Sequence, residues 1–316
     1  MAITNNGSGP YKLSNSEIQT YKNCKRKWWL AYYRRLKPKT KRYTGPLALG
    51  SRIHNSLEVF YTTETPLLKA HSDFIAKDRL EMLMDTGDST ELDNEAELGR
   101  IMLEGYLDWI EDEGIDAELE FVSAEEILSM PLFDGAVELQ GKIDMRVRRK
   151  SDGVRMFRDY KTLAGSFETY ASTAHMNEQI MTYMLLEAAQ NKDGERSGGG
   201  IFTLLKKVKR SAKANPPFYY QFEVRHNVFA MRAFWQRIHG VIGDMMKTKA
   251  SLDAGDNHLN VAYPNPSDTC RWKCQFFTIC PMFDDGSAVE SAILDKFDES
   301  DPYDYYKSTL EAKGSE

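Results

Sequence analysis

Two sets of residues in this chain of 316 have types and spacings suited to chemistry. In the first, Asp159 and Lys161 stand two apart in VRMFRDYKT, and Asp144 stands in the preceding segment GAVELQGKIDMRVRR. Residues i and i+2 of a strand share a face, so a carboxylate and an ammonium lie side by side. Asp144 alternates out of phase with Ile143, Met145 and Val147 and leaves their apolar face. KSDG between the segments is a turn signal, so the two read as a hairpin on which Asp144 and Asp159 converge. Two carboxylates at one spot need a hard cation such as Mg²⁺ or Mn²⁺. Without one, their mutual repulsion pushes one of their pKa values up. The plain alternative is a surface ion pair on an edge strand, which is worth little.

The second set is CRWKCQFFTIC, residues 270–280, which holds three of the four cysteines; the fourth is Cys24. In a reducing compartment such crowding reads as metal ligation sooner than as disulfides. Three thiolates complete neither a tetrahedral zinc site nor the ligand set of a [4Fe–4S] cluster, so a fourth ligand is wanted. Four ordinary buried thiols are the other reading.

These residues need elements to hold them. SNSEIQTYKNCKRKWWLAYYRRL reads as one helix opened by a Ser14/Glu17 capping box, with Cys24 beside its apolar stripe. A second helix follows from Leu47, and residues 62–128 read as mostly helical and polar. The period then switches to two for the hairpin. FETYASTAHMNEQIMTYMLLEAAQ reads as a helix, with a loose break at NKDGERSGGG. IFTLLKKVK and PFYYQFEVR read as strands and FAMRAFWQRIHGVIGDMMKTK as a long helix. The plan is α/β with a small central sheet flanked by helices. The acidic stretch 284–316 reads as a disordered tail.

The formal net charge is −6, mildly against a nucleic-acid partner, but the distribution matters more. Residues 22–42 carry ten Lys and Arg and no acid, with tryptophans and tyrosines interleaved, and KKVKRSAK follows at 206–213. Such patches are usually solvated faces; several together favour a phosphate-backbone partner. No run of about 18 apolar residues is present, so no membrane span is expected, and MAITNNGSGPYK lacks a secretory layout. A cytoplasmic location is the expectation.

The ordered motifs resemble the PD-(D/E)xK nuclease superfamily, in its RecB-like branch. They are Gly141-Lys142-Ile143-Asp144; Asp159-Tyr160-Lys161; Gly50-Ser51-Arg52-Ile53-His54-Asn55-Ser56-Leu57-Glu58, matching G-x-x-x-H-x-x-L-E; and Gln179-Ile180-Met181-Thr182-Tyr183, matching Q-x-x-x-Y. CRISPR-associated RecB-like exonucleases and their phage relatives look most similar, and the AddB nuclease domain more distantly so. The resemblance covers about residues 11–283. It implies a restriction-endonuclease-like core with a mixed sheet, a helical insertion at 62–128, and chain ends joined by an iron–sulfur cluster on Cys24, Cys270, Cys274 and Cys280. Here the first cysteine gap is three residues, where the family more often has two, which keeps zinc as the lesser alternative.

By the same resemblance, His54, Asp144, Asp159 and the Tyr160 backbone carbonyl would bind Mg²⁺ or Mn²⁺. Lys161 would orient or deprotonate the attacking water. Gln179 and Tyr183 would reach the site from one helix face, and Glu58 would stand behind His54. Lys25, Arg26, Lys27, Arg34, Arg35, Lys206, Lys207, Lys209 and Arg210 would track a DNA backbone, with Trp28, Trp29, Tyr32 and Tyr33 as stacking surfaces. One of the two tryptophans is expected in the core and the other facing out. The implied activity is a DNA exonuclease, 5′→3′ on single strands, in recombination, repair or phage DNA processing. A CRISPR spacer-processing nuclease and a non-catalytic nucleic-acid-binding or assembly module are the alternatives. Single strands or duplex ends are the implied DNA, and a second copy of the chain, a recombinase, a helicase or CRISPR adaptation proteins are candidate partners.

Overall fold

The structure, a computed structural model, describes residues 9–190, 197–211 and 213–304. In chain order its elements are β1 (Tyr11–Ser14), α1 (Asn15–Asn23), α2 (Lys25–Trp28), a π-helical turn (Trp29–Tyr33), β2 (Leu36–Pro38), α3 (Pro46–Thr62), α4 (Leu67–Thr86) and α5 (Thr90–Asp112). Then come β3 (Leu119–Leu132), β4 (Val137–Arg149), β5 (Arg155–Leu163), α6 (Phe167–Ala174), α7 (Glu178–Gln190), β6 (Ser197–Lys206) and β7 (Tyr219–Val224). The last are α8 (Val228–Asp253), α9 (His258–Val261), α10 (Cys270–Lys273), α11 (Val289–Lys296) and β8 (Phe297–Glu299). The chain forms two compact units. One takes Met1–Lys41, Ser129–Gly141 and Arg232–Glu316; the other takes Arg42–Leu128 and Lys142–Met231.

The second unit is a mixed sheet between helices. β4 and β5 are antiparallel, β5 and β6 parallel, and β6 and β7 antiparallel. Alternation sorts the side chains. Met145, Val147, Met156, Tyr160, Ile201, Leu205 and Tyr219 meet Leu49, Ile53 and Leu57 of α3 and Met102, Leu103 and Tyr106 of α5 in one buried cluster. Burying each large apolar side chain there contributes about 1.5–3 kcal/mol. The helix residues recur at three- and four-residue spacing, as a helix facing a sheet requires. On the other face Tyr183 of α7 packs its ring on Phe157, 5.7 Å between centroids, and Tyr170 of α6 packs on Phe202 at 5.5 Å.

Two local expectations change here. The 62–128 segment is helical only as far as α5; from Leu119 it is a strand, β3, paired with β4. The segment read as one helix over 167–190 is two. Asn177 interrupts it, its side-chain oxygen accepting the Gln179 N–H at 2.9 Å and so starting α7. Residues 191–196 of the expected loose break lie outside the described residues.

The first unit joins the N-terminal segment to the C-terminal one. β1 runs parallel to the start of β4, from Tyr11↔Val137 to Ser14↔Gln140. Ser14 Oγ accepts the Glu17 N–H at 3.3 Å, half of the expected capping box. The other half is diverted: the Glu17 carboxylate takes the Tyr11 and Tyr303 hydroxyls and, at 2.7 Å, the Trp28 indole N–H. The expected single helix breaks at Cys24, whose backbone is extended (φ −163°, ψ 112°). Trp28 and Trp29 are both buried, 0% and 6% exposed, so neither faces out for stacking.

The expectation of disorder from residue 284 is overturned for 284–304. α11 is followed by β8, which pairs antiparallel with β2. Asp284 and Glu290 are ion-paired with Arg26 and Arg34, both at 2.7 Å. The acidic composition looks unpaired in sequence because its basic partners lie some 250 residues earlier. Residues 305–316 lie outside the described residues.

Candidate active site

The β4–β5 ladder runs from Arg148↔Arg155 to Met145↔Arg158. The next residues along are Asp144 and Asp159, so the two carboxylates meet at the end of the ladder. Lys161 Nζ lies 2.7 Å from Asp159 Oδ2, as the i, i+2 rule requires. His54, on α3, brings Nδ1 to 3.2 Å from Asp144 Oδ2. Glu58 sits one turn further along α3, half-buried. Gln179 and Tyr183 come to the same place. Lys161 Nζ donates to Gln179 Oε1 at 3.4 Å, Gln179 Nε2 to the Tyr183 hydroxyl at 2.8 Å, and that hydroxyl to the Lys142 carbonyl at 2.7 Å.

Two carboxylates, an ammonium and an imidazole share one partly buried place. Burial lifts the Asp159 pKa, with the Lys161 ammonium pulling back and Asp144 pushing further up. Asp144 ends below its ordinary value, because His54, Lys161 and the Tyr160 N–H outweigh its burial. His54 ends above its own, the Asp144 carboxylate more than offsetting burial. Asp159 Oδ1 is buried with no hydrogen-bond donor. An orphaned carboxylate oxygen costs about 1–3 kcal/mol or more, and a divalent cation removes that cost. The oxygen donors present fit Mg²⁺ or Mn²⁺. Among the described residues, no group of three or more His, Cys, Asp or Glu is by itself arranged to hold a metal ion.

Several residues around the site were not anticipated from sequence. Arg146, on the Asp144 face of β4, joins Glu126 at 2.6 Å and the buried Glu187 of α7 at 2.5 Å, which pins α7 to the strand. The signal was present, since Gln179, Tyr183 and Glu187 are four apart. Glu125, at φ +51°, ion-pairs with Lys142. Behind the strand, Arg158 is 1% exposed, with Asp116 at 2.6 Å and the Tyr106 hydroxyl at 3.2 Å.

The four cysteines are free thiols in the first unit. Cys24 Sγ accepts the Lys27 and Asn265 N–H groups at 3.5 and 3.4 Å, and Cys270 Sγ accepts that of Ser267 at 3.4 Å. Arg26 donates to the Cys280 carbonyl at 3.1 Å and approaches its sulfur at 3.9 Å. Burial pushes the Cys274 and Cys280 thiols up, Arg26 opposing this at Cys280, and the neighbouring cysteines add to the rise. Amides aimed at the Cys24 and Cys270 sulfurs favour thiolates, while burial at Cys274 and Cys280 favours the protonated thiol.

The basic residues divide. Arg26 is 1% exposed and held by Asp284, so it is an internal brace and not a backbone contact. Arg34 is bidentate on Glu290. Lys25 lies over the Tyr21 and Tyr263 rings at 5.2 and 4.9 Å. Arg210 stacks on Phe218 at 3.6 Å and donates to Tyr219. Arg35 and Lys209 are exposed, and Lys27, Lys206 and Lys207 half-buried. No helix among the described residues is long and apolar enough to cross a membrane.

No curated protein matches the chain. Among solved structures, SSO0001 is similar at 14% identity, over 64% of this chain and 79% of that one, with a TM-score of 0.30. LHK-Exo in complex with dAMP is similar at 12% identity, over 65% and 95%, with a TM-score of 0.29. The alkaline exonuclease LHK-Exo from Laribacter hongkongensis is similar at 12% identity, over 64% and 96%, with a TM-score of 0.24. The family described as the PD-(D/E)XK nuclease superfamily matches residues 12–281, most of the chain. On that match, the chain belongs to the PD-(D/E)XK nuclease superfamily.

Proposed function

We propose that this protein is a metal-dependent DNA exonuclease, acting 5′→3′ with preference for single strands, in recombination, repair or phage DNA processing. The observation that carries the reading is the convergence of Asp144, Asp159, Lys161 and His54 around a buried carboxylate oxygen that has no donor. His54, Asp144, Asp159 and the Tyr160 carbonyl would hold Mg²⁺ or Mn²⁺. That cation would supply charge neutralisation at the scissile phosphate and a more acidic water.

The chain's own residues do the rest. Lys161, held between Asp159 and Gln179, presents an ammonium to the water and to charge building on the phosphate. Tyr183, bonded to the Lys142 carbonyl, fixes Gln179 and hence the lysine. The polarity and the strand preference come from the resemblance to iron–sulfur exonucleases. So does the assignment of Cys24, Cys270, Cys274 and Cys280 to a [4Fe–4S] cluster, which the amide-to-sulfur bonds support.

The test is cleavage of end-labelled single- and double-stranded DNA by protein purified without oxygen, with Mg²⁺, Mn²⁺ or EDTA. Metal-dependent shortening of the wild type is expected, with loss of about 10²–10⁴-fold in Asp159→Ala and Lys161→Ala, the range typical of positioned acid–base and electrostatic groups. Wild-type protein that binds DNA and never cuts it sinks the proposal.

A further inference from the structure

With Trp28 and Trp29 buried, exposed aromatic surface lies on the strand face that carries Asp159 and Lys161 in the second unit. Ladder register places it. Lys161 is opposite Leu204 and Leu204 opposite Tyr220; Asp159 is opposite Phe202 and Phe202 opposite Phe222. Strands lie about 4.8 Å apart, so Tyr220 stands about 10 Å across the sheet from Lys161. β7 is the edge strand of this sheet. The rings of Phe167, Tyr220 and Phe222 form a near-parallel row, with centroids 5.9 and 5.6 Å apart and planes inclined by 20° and 26°. Tyr220 is 42% exposed. Lys206, on the same face beyond Leu204, holds its ammonium 5.7 Å from the Phe167 centroid. At the inner end Tyr170 packs on Phe202, 5.5 Å between ring centroids.

We propose that Tyr220, supported by Phe167 and Phe222, is a stacking subsite for an unpaired base of a strand whose backbone passes Lys161, with Lys206 meeting a phosphate. The inference rests on the nuclease reading and goes beyond it by naming where the strand lies and what grips it. A ring row with the Lys206 ammonium at its Phe167 end matches a ligand that alternates flat apolar bases with anionic phosphates. An apolar protein segment satisfies the rings but brings Lys206 no anion beyond the exposed Glu168 carboxylate already near it. Every base has a π-face, so the subsite holds unpaired strands with little regard to sequence.

The experiment measures binding of a fluorescent single-stranded oligonucleotide in EDTA, where cleavage does not interfere. It compares the wild type with Tyr220→Ala and Tyr220→Phe. Losing one base–aromatic stack weakens binding about tenfold in Tyr220→Ala, while Tyr220→Phe stays within about twofold. A second arm moves a single abasic site along the oligonucleotide. The wild type should lose affinity at one position, and Tyr220→Ala should be indifferent to the abasic site there. If Tyr220→Ala fails to fold, the abasic series on the wild type decides alone. Equal affinities for all variants and all abasic positions, in a protein that still cuts DNA, overturn the subsite and leave the nuclease reading standing. A wild type that neither binds nor cuts any strand overturns both.

Discussion

Glu17 makes the first unit less stable at neutral than at acid pH. Its carboxyl is fully buried and is raised from 4.5 to about 7 by that burial, against the opposing bonds from Tyr11, Tyr303 and Trp28. Between those two values the folded protein keeps the proton while the unfolded chain has lost it. Folded protein therefore binds more protons across this window, and stability falls as pH rises from about 4.5 to about 7, then levels. At about 1.4 kcal/mol per pH unit, the whole window is worth about 3 kcal/mol. The expected comparison is urea unfolding of wild type and Glu17→Gln at pH 5 and pH 8. Circular dichroism and tryptophan fluorescence should be read together, since coincident transitions license two-state treatment. The variant should match the wild type at pH 5 to within about 1 kcal/mol and exceed it at pH 8 by up to about 3 kcal/mol. Equal pH slopes in the two proteins refute the reasoning. They would mean that the three donors hold Glu17 ionised throughout.

Further outcomes follow. On the proposed [4Fe–4S] assignment, Cys274→Ser should lose iron, acid-labile sulfide and the broad visible absorbance together, read by metal analysis and spectroscopy of protein kept from oxygen. Zinc in place of iron in the wild type would reassign the cysteines to a zinc site. Gly199→Ala should cost about 3 kcal/mol in chemical denaturation: Gly199 sits at φ +102°, and a methyl group there would overlap the Val224 carbonyl across the β6–β7 ladder. Wild-type stability in that variant would mean the strand relaxes around the methyl.

The convergence of the candidate residues was largely legible in the sequence. Asp159 and Lys161 share a face because strand alternation is local, and Asp144 meets them because a short turn signal sets the hairpin. Gln179 and Tyr183 bond to each other because helical spacing places i beside i+4. Glu187 follows the same spacing, but its pairing with Arg146 depends on how α7 lies on the sheet. The strand β3 was hidden because LEFVSAEEILSMPL reads as polar and mixed until β4 gives it a ladder.

What the sequence by itself determined is everything with a short period: the hairpin, the facing of its acids and lysine, the helix of Gln179 and Tyr183, and the crowding of Cys270, Cys274 and Cys280. Tertiary structure alone decided which charges are used up internally. Arg26 looks like one more basic residue beside DNA until Asp284 is found 258 positions away, closing on it at 2.7 Å. The stretch after 284 looks unfolded until β2 receives β8, and Trp28 looks like a stacking surface until Glu17 takes its N–H. Composition and period report only what a residue does with its near neighbours. Burial and ion pairing are settled by partners that chain folding brings from far away.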